Sequence, residues 1–317
     1  MSGICLDAAA PGVVVRGIAD HHRRLRAGGV DAVLATAAAI EPPDQALLSL
    51  GRWWAAHRCD DDPVAVATTG SEVRAAVAAG RTAVVLHFQG STPLGNDVEM
   101  VDAYARLGVR VMQLTYNYRT PAGDGCLEPS NAGLSEFGRK VLARMERVGV
   151  LPDVSHAGAQ TARDLLRFAD GPVIASHANA RALCDSPRNL PDDVIDAVAA
   201  SGGVIGVCAF PAFVVGDGAV PTIGQLVDHV VYFAERVGIE HVGIGLDFAD
   251  EDEEDYDYFG YDPRYYPRPP WTWPVGLSWW EEVANLRPEL VSRGFSEAEV
   301  DGVMGENFLR LFTALWG

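Results

Sequence analysis

Val148-Gly149-Val150-Leu151-Pro152-Asp153-Val154-Ser155-His156, then Gln160 to Phe168, then Gly171-Pro172-Val173-Ile174-Ala175-Ser176-His177, is the stretch that decides the fold. Each flank is an apolar run ending in histidine, and the segment between them has the apolar spacing of a helix. Strand, helix, strand in that length predicts two parallel strands joined by a crossover. Histidines at the C-terminal ends of consecutive parallel strands project into one shared mouth, where imidazoles bind a metal or move protons.

The same rhythm extends in both directions. Strands are expected at Gly3–Asp7, Val30–Thr36, Ala83–Phe88, Arg110–Leu114, Val150–Val154, Val173–Ser176, Val204–Ala209 and His241–Asp247. Helical patterns lie between most of them, among them Val98–Leu107, Leu134–Val148, Pro191–Ala200 and Ile223–Val237. About eight strand–helix units in 317 residues predict an α/β fold, a closed (β/α)8 TIM-type barrel, as one domain over residues 1–317. No G-x-G-x-x-G follows the first strand, which weighs against a dinucleotide-binding sheet. After the last strand the rhythm breaks. Asp250 to Asp257 is nearly all acidic, and Tyr256 to Trp280 is crowded with Tyr, Trp and Pro. A long irregular loop over about 248–280 is therefore expected above the mouth, its acidic part solvated and its aromatic part a lid or a contact with a second copy of the chain. The segment from Glu297 to Trp316 reads as one closing helix.

The composition narrows the partners. A net charge of −18 argues against nucleic acid and anionic membrane surfaces, leaving a small-molecule substrate and a homodimer as candidate partners. No secretory signal pattern and no uncharged apolar run near the roughly 20 residues of a membrane span is visible. Cys5, Cys59, Cys126, Cys184 and Cys208 are scattered, odd in number and without C-x-x-C, the pattern of reduced thiols. A cytoplasmic location is expected.

Several segments, in order and over most of the chain, are similar to the renal or membrane dipeptidase family of zinc peptidases. They are Asp97 to Tyr116, Ala132 to His156, Pro172 to Asn189, Gly202 to Val207, His241 to Asp247 and Gly305 to Phe312. The resemblance implies a metal-dependent-hydrolase-like barrel with two zinc ions at its C-terminal mouth, cleaving dipeptides with a metal-bound hydroxide. It implies that His156 and His177 hold the second zinc, that Arg188 grips the substrate carboxylate with Asn189 beside it, and that Asp247 handles the substrate amine or passes a proton to the leaving group. The rest of the family pattern departs. Ala9 and Pro11 stand where a His-x-Asp pair would bind the first zinc, Gln89 replaces the bridging glutamate, and Tyr116 replaces a histidine that polarises the scissile carbonyl.

Without a bridging carboxylate to offset the repulsion of two dications, a dinuclear centre should not form. At most one zinc is expected, held by His156, His177 and the Gln89 oxygen, with His87 as a further imidazole on the Gln89 strand face. Tyr116 can donate to an oxyanion or bind substrate, and Asp247 can relay a proton. The favoured reading is a dipeptidase-like hydrolase of a dipeptide or small amide with a free carboxylate. The alternatives are metal-free acid–base chemistry by His156, His177, Tyr116 and Asp247 (an isomerase, lyase or cyclase) and a non-catalytic binder. Simpler readings stand beside these. Cys5 and Asp7 are a buried thiol and a strand-end cap, His21-His22 is surface, and His57 with Cys59 is packing.

Overall fold

The computed structural model describes residues 3–12, 18–57, 62–216 and 218–317; Cys59 lies outside them. Its strands are β1 (Leu6–Ala10), β2 (Ala32–Ala38), β3 (Val64–Val66), β4 (Thr82–Phe88), β5 (Val109–Gln113), β6 (Leu151–Asp153), β7 (Ile205–Val207) and β8 (Val242–Ile244). They pair in the order β6-β5-β4-β2-β1-β8-β7, and every pairing is parallel. The stave expected at Val173–Ser176 fills the remaining gap through two bridges, Asp153↔Ile174 and Ala175↔Ile205, which close the ring as a barrel. β3 was not expected: it pairs only with the start of β4, and its three residues are too short for a periodic signal.

The barrel interior is lined with small and branched side chains. Ala8, Ala32 and Ala83 pack with Leu6, Leu34, Val85, Val111, Leu151, Ile174 and Val204, over Phe308 and Phe312 of the last helix. That helix differs from the expectation of one unbroken element. It runs as Glu297–Asp301, a wider turn at Gly302–Glu306, and Asn307–Trp316. The break brings the chain hard against β1, where a Cβ on Gly305 would lie 2.4 Å from the Ile4 carbonyl oxygen. Two glycines act likewise at the other end. A Cβ on Gly206 or Gly245 would stand 2.1 or 1.8 Å from the Ser176 carbonyl oxygen, so only glycine lets the β7 and β8 staves close on the His177 stave.

The crossovers follow local chemistry. Helix Glu136–Val148 starts at Ser135, whose side chain accepts from the Gly138 amide, and stops at left-handed Gly149. Helix Ile223–Val237 begins with a reciprocal Thr222–Gln225 capping box. The acidic run is not wholly a solvated loop. Asp252 caps a short helix, Glu253–Phe259, and Glu253, Glu254 and Asp255 occupy its first turn, where the helix dipole favours negative charge. The aromatic stretch folds down as a lid: Tyr256, Tyr261 and Tyr266 are buried against Tyr116, Phe210 and Phe213. No helix among the described residues is long and apolar enough to cross a membrane.

Candidate active site

The two histidines that end the β6 and Val173–Ser176 staves meet edge to edge, with His156 Nε2 2.9 Å from His177 Nε2. Each ring is fixed from behind. His156 Nδ1 donates to Asn117 Oδ1 at 2.7 Å, and His177 Nδ1 to Ser176 Oγ at 2.7 Å. The Ser176 hydroxyl in turn donates to Asp153 Oδ2 at 2.5 Å, so its oxygen is left to accept from His177. Asp153 also accepts from the Gln113 amide and from the backbone N–H groups of Ser155 and Ser176. Both imidazoles are thereby set as Nδ1–H tautomers with bare Nε2 atoms converging on one point. Burial first, and then the nearby Arg188 charge, pushes both imidazoles well below their ordinary pKa, which keeps them neutral. Oriented neutral imidazoles of this kind suit a metal ion.

Arg188 is buried beside the pair. Its Nη2 lies 3.4 Å from His156 Nε2, and its Nε donates to the Tyr266 hydroxyl at 3.1 Å. That hydroxyl donates onward to Asn117 Oδ1 at 3.0 Å, tying the lid to the histidine support. Among the described residues, no carboxylate lies within ion-pair distance of Arg188. Asp247 faces the pair from the far side, its Oδ2 4.0 Å from His177 Nε2. Burial raises the Asp247 carboxyl to about 7 although Arg188 pulls it down. Asn117, His156 and Asp247 all hold left-handed backbone, with φ of 56°, 63° and 60°. Non-glycine residues pay for that conformation, and such strain gathers at functional sites.

Tyr116 stacks on His156 with ring centroids 4.2 Å apart. Its hydroxyl is 2.8 Å from the Tyr261 hydroxyl, which donates to Glu251 Oε1 at 3.3 Å. A cavity of about 40 Å3 remains between these groups, lined by Pro11, Thr36, Gln89, Tyr116, His156, Asp247 and Glu251 among others. That volume corresponds to about three water molecules, well below the size of a dipeptide.

The structure thus gathers His156, His177, Tyr116, Arg188 and Asp247, and brings Gln89 to the cavity wall. Asn189 is turned away: its amide N–H groups donate to the carbonyls of Cys184 and Phe213, bracing the loop that carries Arg188. His87 is no third imidazole for the pair, since its Nε2 sits 3.3 Å from Asp153 within the barrel. Asp7 is a cap. It accepts from the amides of Ala9 and Leu246 and from Trp280 Nε1, linking the β1 and β8 ends. Cys5, Cys126, Cys184 and Cys208 form no disulfide. Sequence reasoning missed Asp153, which lies in the quoted stretch, and Asn117, which directly follows Tyr116; it also missed Glu251 in the acidic run read as solvated, and Tyr261 and Tyr266 in the stretch read as a lid or a contact with a second copy.

These residues do not fit the family's two-zinc centre. Ala9 and Pro11 stand at the mouth, with the Ala9 carbonyl accepting from the Asp247 amide, but neither side chain can bind a metal. The Gln89 amide donates to Thr36 Oγ1 at 2.9 Å, leaving an uncharged oxygen. Among the described residues there is no cluster of three or more His, Cys, Asp or Glu side chains suited to a metal.

Residues 18–257 match the family described as membrane dipeptidase, peptidase family M19. The chain is 30% identical over 256 residues to Dipeptidase verJ of Clonostachys rogersoniana, covering 80% of this chain and 61% of that protein. It is 30% identical over 235 residues to Dipeptidase aclJ of Aspergillus oryzae, covering 73% and 51%. The chain therefore spans only about half to three-fifths of the length of these curated relatives. A solved amidohydrolase from Pseudomonas aeruginosa superposes with a TM-score of 0.91 at 29% identity, covering 99% of this chain and 97% of that one. A metallo peptidase from Rhodobacter sphaeroides, at 21% identity and a TM-score of 0.84 over 100% of both chains, shares the fold. With the family match over residues 18–257 and the barrel shared with these structures, the chain belongs to the membrane dipeptidase family of hydrolases, peptidase family M19.

Proposed function

We propose that this protein hydrolyses the amide bond of a dipeptide or similarly small substrate that carries a free carboxylate. The observation that carries this reading is Arg188, buried at the mouth with no carboxylate partner among the described residues. An unpaired buried guanidinium costs several kcal/mol, on the order of 3–5, and an incoming carboxylate offsets that cost. With the carboxylate seated there, the bond to be cut lies near His156, Tyr116 and Asp247. Asp247, with its carboxyl poised near neutrality, holds the substrate amine or returns a proton to the leaving nitrogen. The Tyr116 hydroxyl reaches the carbonyl oxygen as it gains charge.

His156 and His177, with the Gln89 oxygen, would hold at most one zinc. A zinc so bound supplies Lewis acidity, making water nucleophilic near neutral pH and polarising a carbonyl. A second reading, metal-free acid–base chemistry on an amino-acid-like molecule, draws on the shortage of anionic ligands at Ala9, Pro11 and Gln89. The reduced-thiol pattern supports a cytoplasmic setting for either.

The test is turnover of a panel of dipeptides and N-acyl amino acids, each beside its carboxamide, with and without added zinc. Cleavage restricted to free carboxylates, with kcat/KM falling at least about a hundredfold in Arg188→Met, is expected; by the rule of about 1.4 kcal/mol per tenfold, that is about 3 kcal/mol. Equal cleavage of the carboxamides contradicts the proposal. No cleavage of any amide, with or without zinc, turns the search to isomerase and lyase substrates.

A further inference from the structure

The lid brings a group to the mouth that the reading above does not use. Glu251 follows β8 by a few residues, lines the same cavity as Gln89, His156 and Asp247, and accepts from Tyr261 through Oε1. Its Oε2 is enclosed without a hydrogen-bond partner. Tyr261 and Tyr116 share one hydrogen bond, and either oxygen can be its donor. Three groups in a row, carboxyl, hydroxyl, hydroxyl, form a chain whose direction is set at the carboxyl end. An ionised Glu251 only accepts, so Tyr261 donates to it and Tyr116 donates to Tyr261, which leaves Tyr116 with only lone pairs facing the mouth. A protonated Glu251 can donate instead. Tyr261 then donates to Tyr116, and the Tyr116 hydrogen is free to meet an oxygen in the mouth.

We propose that Glu251 is a positioning residue: acting through Tyr261, it sets whether the Tyr116 hydroxyl donates into the active site or toward the lid. The role rests on the reading of Tyr116 as the donor to the substrate carbonyl. It places the missing acidity of this mouth on the lid rather than on the barrel.

The surroundings favour the donating state near neutrality. Burial, followed by Asp247 and Asp255, raises the Glu251 carboxyl to about 8, while the Tyr261 hydrogen bond lowers it. On the outer side Glu251 shares a cavity with Arg24, Asp250 and Trp279, and Arg24 is itself paired with Glu281 at 2.6 Å. Among the described residues lining these cavities the facing charges are thus mostly acidic, and Arg24 is engaged with Glu281. Tyr116 and Tyr261 are both held well above the ordinary tyrosine value, burial being the main cause, so neither ionises in this range. Because Glu251 is the group that changes, donation by Tyr116 is present below about pH 8 and lost above it.

The experiment is Raman spectroscopy of the tyrosine ring doublet, whose intensity ratio differs between donating and accepting hydroxyls, recorded from pH 6 to pH 10 on the intact protein. The contribution of Tyr116 is isolated by subtracting Tyr116→Phe. In the wild type that contribution should change between donor and acceptor signatures across the range. In Glu251→Gln, whose amide donates at every pH, it should stay in one state, and Tyr261→Phe should likewise remove the change by cutting the chain. A Tyr116 signature that ignores pH in the wild type overturns the proposal, as does the same change persisting in Glu251→Gln or in Tyr261→Phe. The spectra need no substrate, so failure of the amide panel and failure of this proposal are separate results.

Discussion

The two halves of the barrel mouth have kept different things. On one side, His156 and His177 converge through bare Nε2 atoms, each steadied from behind by Asn117 or by the Ser176–Asp153 pair. On the other, the positions the resemblance assigns to a first metal carry Ala9, Pro11 and Gln89, and the β1 carboxylate, Asp7, is used up on two backbone amides and Trp280. Each histidine is backed by a hydrogen bond to its Nδ1, whereas the Gln89 amide is spent on Thr36 Oγ1. A site is therefore recognised by its supports as much as by its ligands.

The comparison breaks most readily at the histidine half. His177→Ala should reduce turnover of whichever amide proves to be the substrate by at least about a thousandfold, about 4 kcal/mol, with the thermal midpoint little changed. Gln89→Ala removes only an uncharged oxygen from the cavity wall and should cost less, about ten- to a hundredfold. Kinetics and thermal melts on both variants check this, and equal losses would erase the distinction between the halves.

Asp153→Asn sharpens the same contrast with a smaller effect. It leaves every mouth side chain in place but weakens the carboxylate that orders Ser176 and His177. A loss of about 10- to 100-fold in activity or metal affinity is expected, as for other groups that orient a ligand. Loss of the fold instead would show Asp153 to be structural through Gln113 and the backbone amides it binds.

The smallest effect lies in the loop that carries Asn117. Asp124 accepts from Arg119, Ser130 and the Ala132 amide, and the Arg119 hydrogen bond is the main reason its carboxyl falls to about 2. A carboxyl lowered in the folded state stabilises above its unfolded pKa and loses that contribution as pH falls from about 4 to about 2. Because Arg119 is half exposed, roughly 1 kcal/mol is expected. Denaturant melts from pH 6 to pH 2 should show Asp124→Asn less stable at the upper end and converging with the wild type at the lower.

How much of this was legible in the sequence follows from the range of each signal. Strand–helix alternation is local, so all eight staves could be read, including Val173–Ser176, which pairs only through isolated bridges. The histidines stood out because they end such runs. β3 was lost to its brevity. The helical half of the acidic run was lost because a solvated charge run and a capped acidic helix look alike until Asp252 is seen to cap. Asn117 acts through a left-handed backbone and a contact 39 residues away, which no spacing rule announces. The Glu251–Tyr261–Tyr116 chain spans lid and barrel, so it exists only once the lid has folded down.

The most direct measurement is zinc stoichiometry by elemental analysis after equilibration with excess zinc and removal of unbound metal, on the wild type and on the His156→Ala/His177→Ala double variant. At most one zinc per chain, lost in the variant, is the predicted result. Two zinc ions per wild-type chain would contradict the account, because they would mean that Ala9, Pro11 and Gln89 do not disable the other half of the mouth.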